Sequence, residues 1–214
     1  MKSTLLVAGA TGLVGSATVH AALRDDRISR VITWGRRPLA GTSGQVEFWG
    51  GPDPVAALRP EPVDAVICCL GTTIKAVKGD KQAFIHVDHD LVVALGRWAS
   101  GKGVRFCVVS AIGADANSII FYNQVKGRME NTLKAMDFAA LHIFRPSILD
   151  GPRTEKRMGE RIGLVVMRTI APLLPAASRP MPVATLGKAL VHAALSDMPG
   201  TYVHSYREIL GLAR

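Results

Sequence analysis

The chain has 214 residues, 48% of them hydrophobic and 20% charged, which suits one soluble globular domain with a sizeable core. Its three cysteines, Cys68, Cys69 and Cys107, are an odd number in apolar runs, which excludes a disulfide framework and predicts a reducing, cytoplasmic setting with no metal site. The net charge of +9 fits a phosphate-bearing small molecule or a solvated basic surface, and the lack of basic blocks interleaved with aromatics argues against nucleic acid.

The first residues, MKSTLLVAGATG, pass from a short apolar run straight into a Gly-rich turn. That predicts a strand at 4–8 and no secretory leader. Further strands are expected at 31–34, 46–49, 64–69, 104–109 and 141–145, each short, apolar or β-branched and bounded by Gly, Pro or Ser. Helices are expected near 14–25, 80–101 and 121–136. The alternation predicts an α/β class: a doubly wound, mainly parallel sheet with helices on both faces and right-handed crossovers. After Pro146 the alternation stops. Residues 147–182 are expected to form a small substrate-side cap with a helix at 156–170, and a helix at 183–196 to pack back onto a single domain spanning 1–214. Segment 162–174 is too short to span a bilayer and is interrupted by Arg168 and Pro172, so no stable membrane insertion is expected.

The turn after the first strand reads Gly9-Ala10-Thr11-Gly12-Leu13-Val14-Gly15. A glycine turn between strand and helix lets backbone approach a pyrophosphate and offers it the helix's free N–H groups. At the end of the second strand an acid would hold the ribose hydroxyls of NAD. No Asp or Glu occurs between Asp26 and Glu47, and Arg36 and Arg37 stand there instead. Guanidinium groups suit the 2′-phosphate of NADP(H), so NADP(H) is the expected cofactor; a pair of exposed turn arginines is the bland alternative. Leu70-Gly71-Thr72 and Arg145-Pro146-Ser147 follow the fourth and sixth strands, at carboxyl ends where such sheets bind ligands.

Tyr122 and Lys126 lie four residues apart on an expected helix and so share a face, and Ser110 closes the fifth strand. With the GATGLVG, GRR, CCLGTT and FRPSILDGPR segments, this set resembles the atypical short-chain dehydrogenase/reductases, in particular the subgroup of the Tat-interacting oxidoreductase and its bacterial relatives. The resemblance spans about 145 residues in order. It implies NADP(H) along the glycine turn, the Leu70–Thr72 backbone and the Arg145-Pro146-Ser147 loop. It implies Tyr122 as proton donor to a small carbonyl substrate, Ser110 bonded to the substrate oxygen, and Lys126 both lowering the Tyr122 pKa and holding the nicotinamide ribose. Typical members carry an Asn upstream of the serine strand. Here that stretch reads Phe84-Ile-His86-Val-Asp88-His89-Asp90, with both histidines expected at the surface. The departure leaves a second reading open, an NADP(H)-binding regulatory protein with little turnover. A sugar-nucleotide epimerase is a third, for which the cap looks too short. Monomer and homodimer both remain open.

Overall fold

The computed structural model describes residues 2–42, 44, 46–151 and 179–214. The expected strands form where the apolar runs lie: β1 (Ser3–Ala8), β2 (Ile28–Gly35), β3 (Glu47–Gly50), β4 (Ala65–Cys68), β5 (Arg105–Val109) and β6 (Ala140–Phe144). A strand absent from the expectation, β9 (Gly200–His204), completes a seven-stranded sheet in the order β3-β2-β1-β4-β5-β6-β9. Each neighbouring pair runs parallel. Parallel strands need crossovers, and α1 (Leu13–Ala22), α3 (Leu91–Ala99), α4 (Phe121–Lys134) and α5 (Val183–Ala194) supply them. A final helix, α6 (Tyr206–Leu212), also unanticipated, is closed by a reciprocal Ser205/Glu208 cap.

Side chains alternate across the sheet. Leu5, Val7, Ala65, Ile67 and Cys107 join a core with residues of α1, α5 and α6. Leu6, Ala8, Val66, Cys68, Phe106 and Val108 join a second core with α3 and α4. Both faces of the central strands are thus covered, which is why they read as unbroken apolar runs.

The expected helix over 80–101 is broken into pieces. Asp80 caps α2 (Lys81–Ile85) by accepting from the backbone N–H groups of Gln82 and Ala83, at 2.9 and 3.0 Å. A π-helical turn, His86–Asp90, then leads into α3. Beyond β6, two short strands pair in parallel, β7 (Leu149–Asp150) with β8 (Met181–Pro182), bringing together the two ends of the expected cap. The expected helix at 156–170 and the apolar segment 162–174 lie outside the described residues. No described helix is long and apolar enough to cross a membrane.

The sheet order reverses between β1 and β4: β1 leads outward to β2 and β3, while β4 leads the other way. A crevice opens at the carboxyl ends of the strands at such a point.

Candidate active site

At that crevice the chain forms a cleft of about 1690 Å³, larger than the usual ~300–1,000 Å³ of small-ligand pockets. Thr11, Gly12, Leu13 and Val14 line it from the glycine turn, and Leu70, Gly71 and Thr72 from the loop after β4. Ser110, Tyr122 and Lys126 line it from β5 and α4, and Pro146 and Ser147 from the loop after β6.

The glycine turn is held by backbone contact. Gly9 has φ +74°, in the left-handed region, and its N–H donates to the Trp34 carbonyl at 3.2 Å. Its own carbonyl accepts from the Gly12 N–H at 2.9 Å. A Cβ on Gly15 would overlap that oxygen and sit 2.7 Å from the Gly9 carbonyl carbon and 2.9 Å from Ala10 Cα. Gly9, Ala10 and Gly15 therefore build the turn from behind, while Gly12 caps α1 in extended backbone with no side chain over the helix end. The first turn of α1 thus leaves its N–H groups without a side-chain cap where Gly12, Leu13 and Val14 line the cleft.

Arg36 and Arg37 follow β2 and are exposed. Among the described residues neither has an ion-pair partner. Glu47, the next acid along the chain, sits at the opposite end of the sheet, where Arg30 and Arg59 pair with it.

The structure brings Tyr122 and Lys126 together as their spacing implies. Tyr122 is half-buried, its ring 5.6 Å from that of Phe84 on α2. The Lys126 side chain is 3% exposed, and its Nζ lies 2.8 Å from Oδ1 of Asp88, itself 1% exposed. Oδ2 of Asp88 accepts from the Thr72 N–H at 2.7 Å. Beyond the Lys126 ion pair, Oδ1 has no hydrogen-bond partner among the described residues. The π-helical turn delivers Asp88 to the cleft; such bulges often mark functional positions. His86 is exposed and His89 pairs with Asp90 at 2.8 Å.

Electrostatics around Tyr122 differ from the expectation. Burial is the largest influence and pushes its pKa up; the Lys126 charge lowers it, and the Asp88 carboxylate raises it again. The net direction is upward. For Lys126 burial works downward, but the charges of Asp88 and Tyr122 outweigh it and hold the amine above its ordinary value.

A second buried acid was not anticipated. Glu130, one helical turn past Lys126, is 1% exposed and accepts from Ser110 Oγ at 2.6 Å. Arg145 grips the same carboxylate with Nε at 2.9 Å and Nη2 at 2.5 Å. The Arg145 guanidinium thus locks β6 to α4, and the residue does not line the cleft. In this rotamer the Ser110 hydrogen is committed to Glu130, which leaves only its lone pairs for a ligand. The signal was present in the four-residue steps Tyr122, Lys126, Glu130, which stack three polar groups on one helix face.

Residues 5–121 match the model of the NAD dependent epimerase/dehydratase family. The mitochondrial FMP52 protein of Eremothecium gossypii is 37% identical over 163 residues, 72% of this chain and 70% of that protein. HTATIP2 of Rattus norvegicus is 30% identical over 208 residues, 93% of this chain and 84% of that protein. Among solved structures, MoeE5 in complex with UDP-glucose and NAD superposes with a TM-score of 0.68 at 17% identity, covering 98% of this chain and 80% of MoeE5. Human SDR39U1 with NADPH gives 0.65 at 17% identity, covering 94% and 74%. These structural likenesses establish the Rossmann fold.

The cytoplasmic setting expected from the cysteines is corrected by these relatives, since the FMP52 proteins are named as mitochondrial. The inference failed for a physical reason. Cys68 and Cys107 are fully buried, and Cys69 packs its sulfur 3.7 Å from the Thr18 hydroxyl. Burial pushes the Cys68 and Cys69 thiols up to about 12. Thiols so protected stay reduced in many compartments, and their freedom does not select one.

Proposed function

Because the chain belongs to the NAD dependent epimerase/dehydratase family, and resembles its atypical short-chain reductase members, we propose that it is an NADP(H)-dependent oxidoreductase acting on a small carbonyl compound, with Tyr122 as proton donor. One observation carries this reading: the glycine turn and the Tyr122/Lys126 pair, 107 residues apart from Gly15 to Tyr122, open into one cleft at the switch point of the sheet.

NADP(H) supplies the hydride; the chain supplies position and the proton. The cradle at Gly12 fits a pyrophosphate, because among the described residues no side chain caps the α1 end. Arg36 and Arg37, without an ion-pair partner among the described residues and following the carboxyl end of β2, suit a 2′-phosphate. Lys126, at the cleft floor, would hold a ribose hydroxyl of the bound cofactor. Tyr122 delivers its phenolic proton to the oxygen that gains charge as the carbonyl is reduced. Rotating the Ser110 hydroxyl about its Cβ–Oγ bond turns its hydrogen to the same oxygen, while Glu130 remains satisfied by Arg145.

The alternative, an NADP(H)-binding regulatory protein, gains support from the Ser110 hydrogen being held by Glu130. Both readings require the cofactor. The test is titration of the protein with NADPH and NADH at one ionic strength, beside the Arg36→Ala/Arg37→Ala variant. The expected result is NADPH binding at least about tenfold tighter, from one or two charge-assisted contacts worth ~1.5–3 kcal/mol each, and loss of that preference in the variant. Equal affinities for the two cofactors remove the 2′-phosphate assignment.

A further inference from the structure

We propose that Asp88 is a positioning residue, which clamps Lys126 on the cleft floor and cancels its charge toward Tyr122, so that Tyr122 stands as a neutral phenol ready to donate. This rests on the proton-donor reading of Tyr122 and deepens it.

The geometry is that of a three-way tie. The carboxylate reaches Lys126 Nζ on α4 at 2.8 Å and the Thr72 N–H in the loop after β4 at 2.7 Å, while its own backbone belongs to the π-helical turn. One residue thus fixes three walls of the cleft, and both Asp88 and Lys126 line it. A pair serving the core alone would have no reason to face the ligand space. The remaining charge geometry is simple. Lys126 is acted on by Asp88 from the π-helical turn, Tyr122 from its own helix and the neutral Cys68 thiol from β4. Tyr122 is acted on by Lys126 and Asp88, with the uncharged Phe84 ring against it from α2.

An ammonium near a phenol stabilises phenolate and lowers its pKa by about 1–3 units. With Asp88 beside it, Lys126 presents Tyr122 with a nearly neutral pair. The consequence is directional. A phenol that keeps its proton at neutral pH favours donation to a nascent alkoxide, the requirement of carbonyl reduction. A lysine freed of its counter-charge favours phenolate, the base required for alcohol oxidation.

The test reads Tyr122 ionisation directly, in protein without cofactor, by ultraviolet difference titration of tyrosinate. Each protein is compared with its own Tyr122→Phe counterpart, which removes the Tyr202 and Tyr206 signals. The expected wild-type midpoint lies above the ordinary ~10 of tyrosine. Asp88→Asn, which keeps the shape and removes the charge, is expected to lower it by about 1–3 units. Asp88→Glu, which restores the charge, moves it back toward wild type. A purely structural Asp88 leaves the midpoint of folded Asp88→Asn where it was, and that result overturns the proposal. Should Asp88→Asn not fold, Asp88→Asn/Lys126→Gln, which removes both charges, decides: a midpoint within about one unit of wild type sustains the cancellation, and one higher by more than that shows Lys126 acting uncancelled in the wild type and overturns the proposal. Neither readout depends on cofactor binding or turnover, so loss of this proposal and loss of the oxidoreductase reading are separable.

Discussion

Gly15 and Gly12 are three residues apart in one turn, and the structure assigns them different penalties. A methyl at Gly15 overlaps the Gly9 carbonyl oxygen and meets the Gly9 carbonyl carbon at 2.7 Å and Ala10 Cα at 2.9 Å, so α1 must move off the turn by more than about 0.7 Å to reach ordinary contact. The obstructing groups are backbone, and the Gly9 carbonyl is fixed by the Gly12 N–H. Overpacking of this kind costs ~1–3 kcal/mol, and rigid neighbours put Gly15→Ala at the upper end. At ~2–4 °C per kcal/mol for a chain of this size, its thermal midpoint should fall by about 6–12 °C. A methyl at Gly12 meets only the Gly9 oxygen, at 3.2 Å, and the backbone there has φ −81°, open to any residue. Gly12→Ala should cost ~1 kcal/mol or less in stability, the difference between Gly and Ala at a helix N-cap, yet weaken NADPH, because the methyl projects where the phosphate approaches. Thermal unfolding and cofactor titration of both variants separate the two effects. If Gly15→Ala unfolds within about 2 °C of wild type, the turn is not packed as described and the reasoning fails.

Arg145→Met leaves the Glu130 carboxylate buried with a serine hydroxyl and a distant Lys134 at 3.9 Å. Breaking a buried pair costs ~3–5 kcal/mol; the Arg145 side chain is 30% exposed, so water enters and the lower end applies. A midpoint drop of about 6–12 °C is expected, with at least half recovered in Glu130→Gln/Arg145→Met, since the two changes act on one contact. A further prediction concerns acid. His142 on β6 lies beside the Tyr202 and His204 rings of β9, its Nδ1 3.0 Å from His204 Nε2, and burial, aided by the His204 and Arg105 charges, lowers its pKa to about 4. The unfolded chain takes that proton near ~6.5, so between those values the unfolded state binds more protons. Stability should therefore fall as pH drops through that window and be flat with respect to His142 above it. His142→Phe, which keeps a ring in the stack, should shrink the slope of thermal midpoint against pH; an unchanged slope refutes the assignment.

Much of the site was legible because its signals are local. The glycine turn and the Tyr122/Lys126 step, which meet at one cleft, each sit within one turn or helix, and the sheet followed from the alternation of apolar runs. What was missed depends on long-range pairing. Asp88 reaches Lys126 across 38 positions, a contact no local spacing reports. It stands with Phe84, Leu91 and Leu95 on the buried stripe of its helix, and an acid on an apolar stripe is itself a signal. Glu130 stands among many charged residues of α4, and its buried state depends on Arg145 arriving from β6. Strand β9 escaped because its edge position leaves Gly200, Thr201 and Val203 exposed, without the apolar run that marked the central strands. The cysteines misled because their reduced state reflects burial and not compartment.

The central claim is hydride transfer with Tyr122 donating the proton. It is tested most directly by mixing protein and NADPH with a panel of small aldehydes and ketones and following the loss of cofactor absorbance, for wild type and Tyr122→Phe. The account predicts substrate-dependent oxidation by the wild type and a rate lower by about 10²–10⁴ in Tyr122→Phe, with NADPH affinity unchanged because the ring still packs on Phe84. Equal rates from the two proteins, or no turnover of any carbonyl by a wild type that binds NADPH, would contradict it.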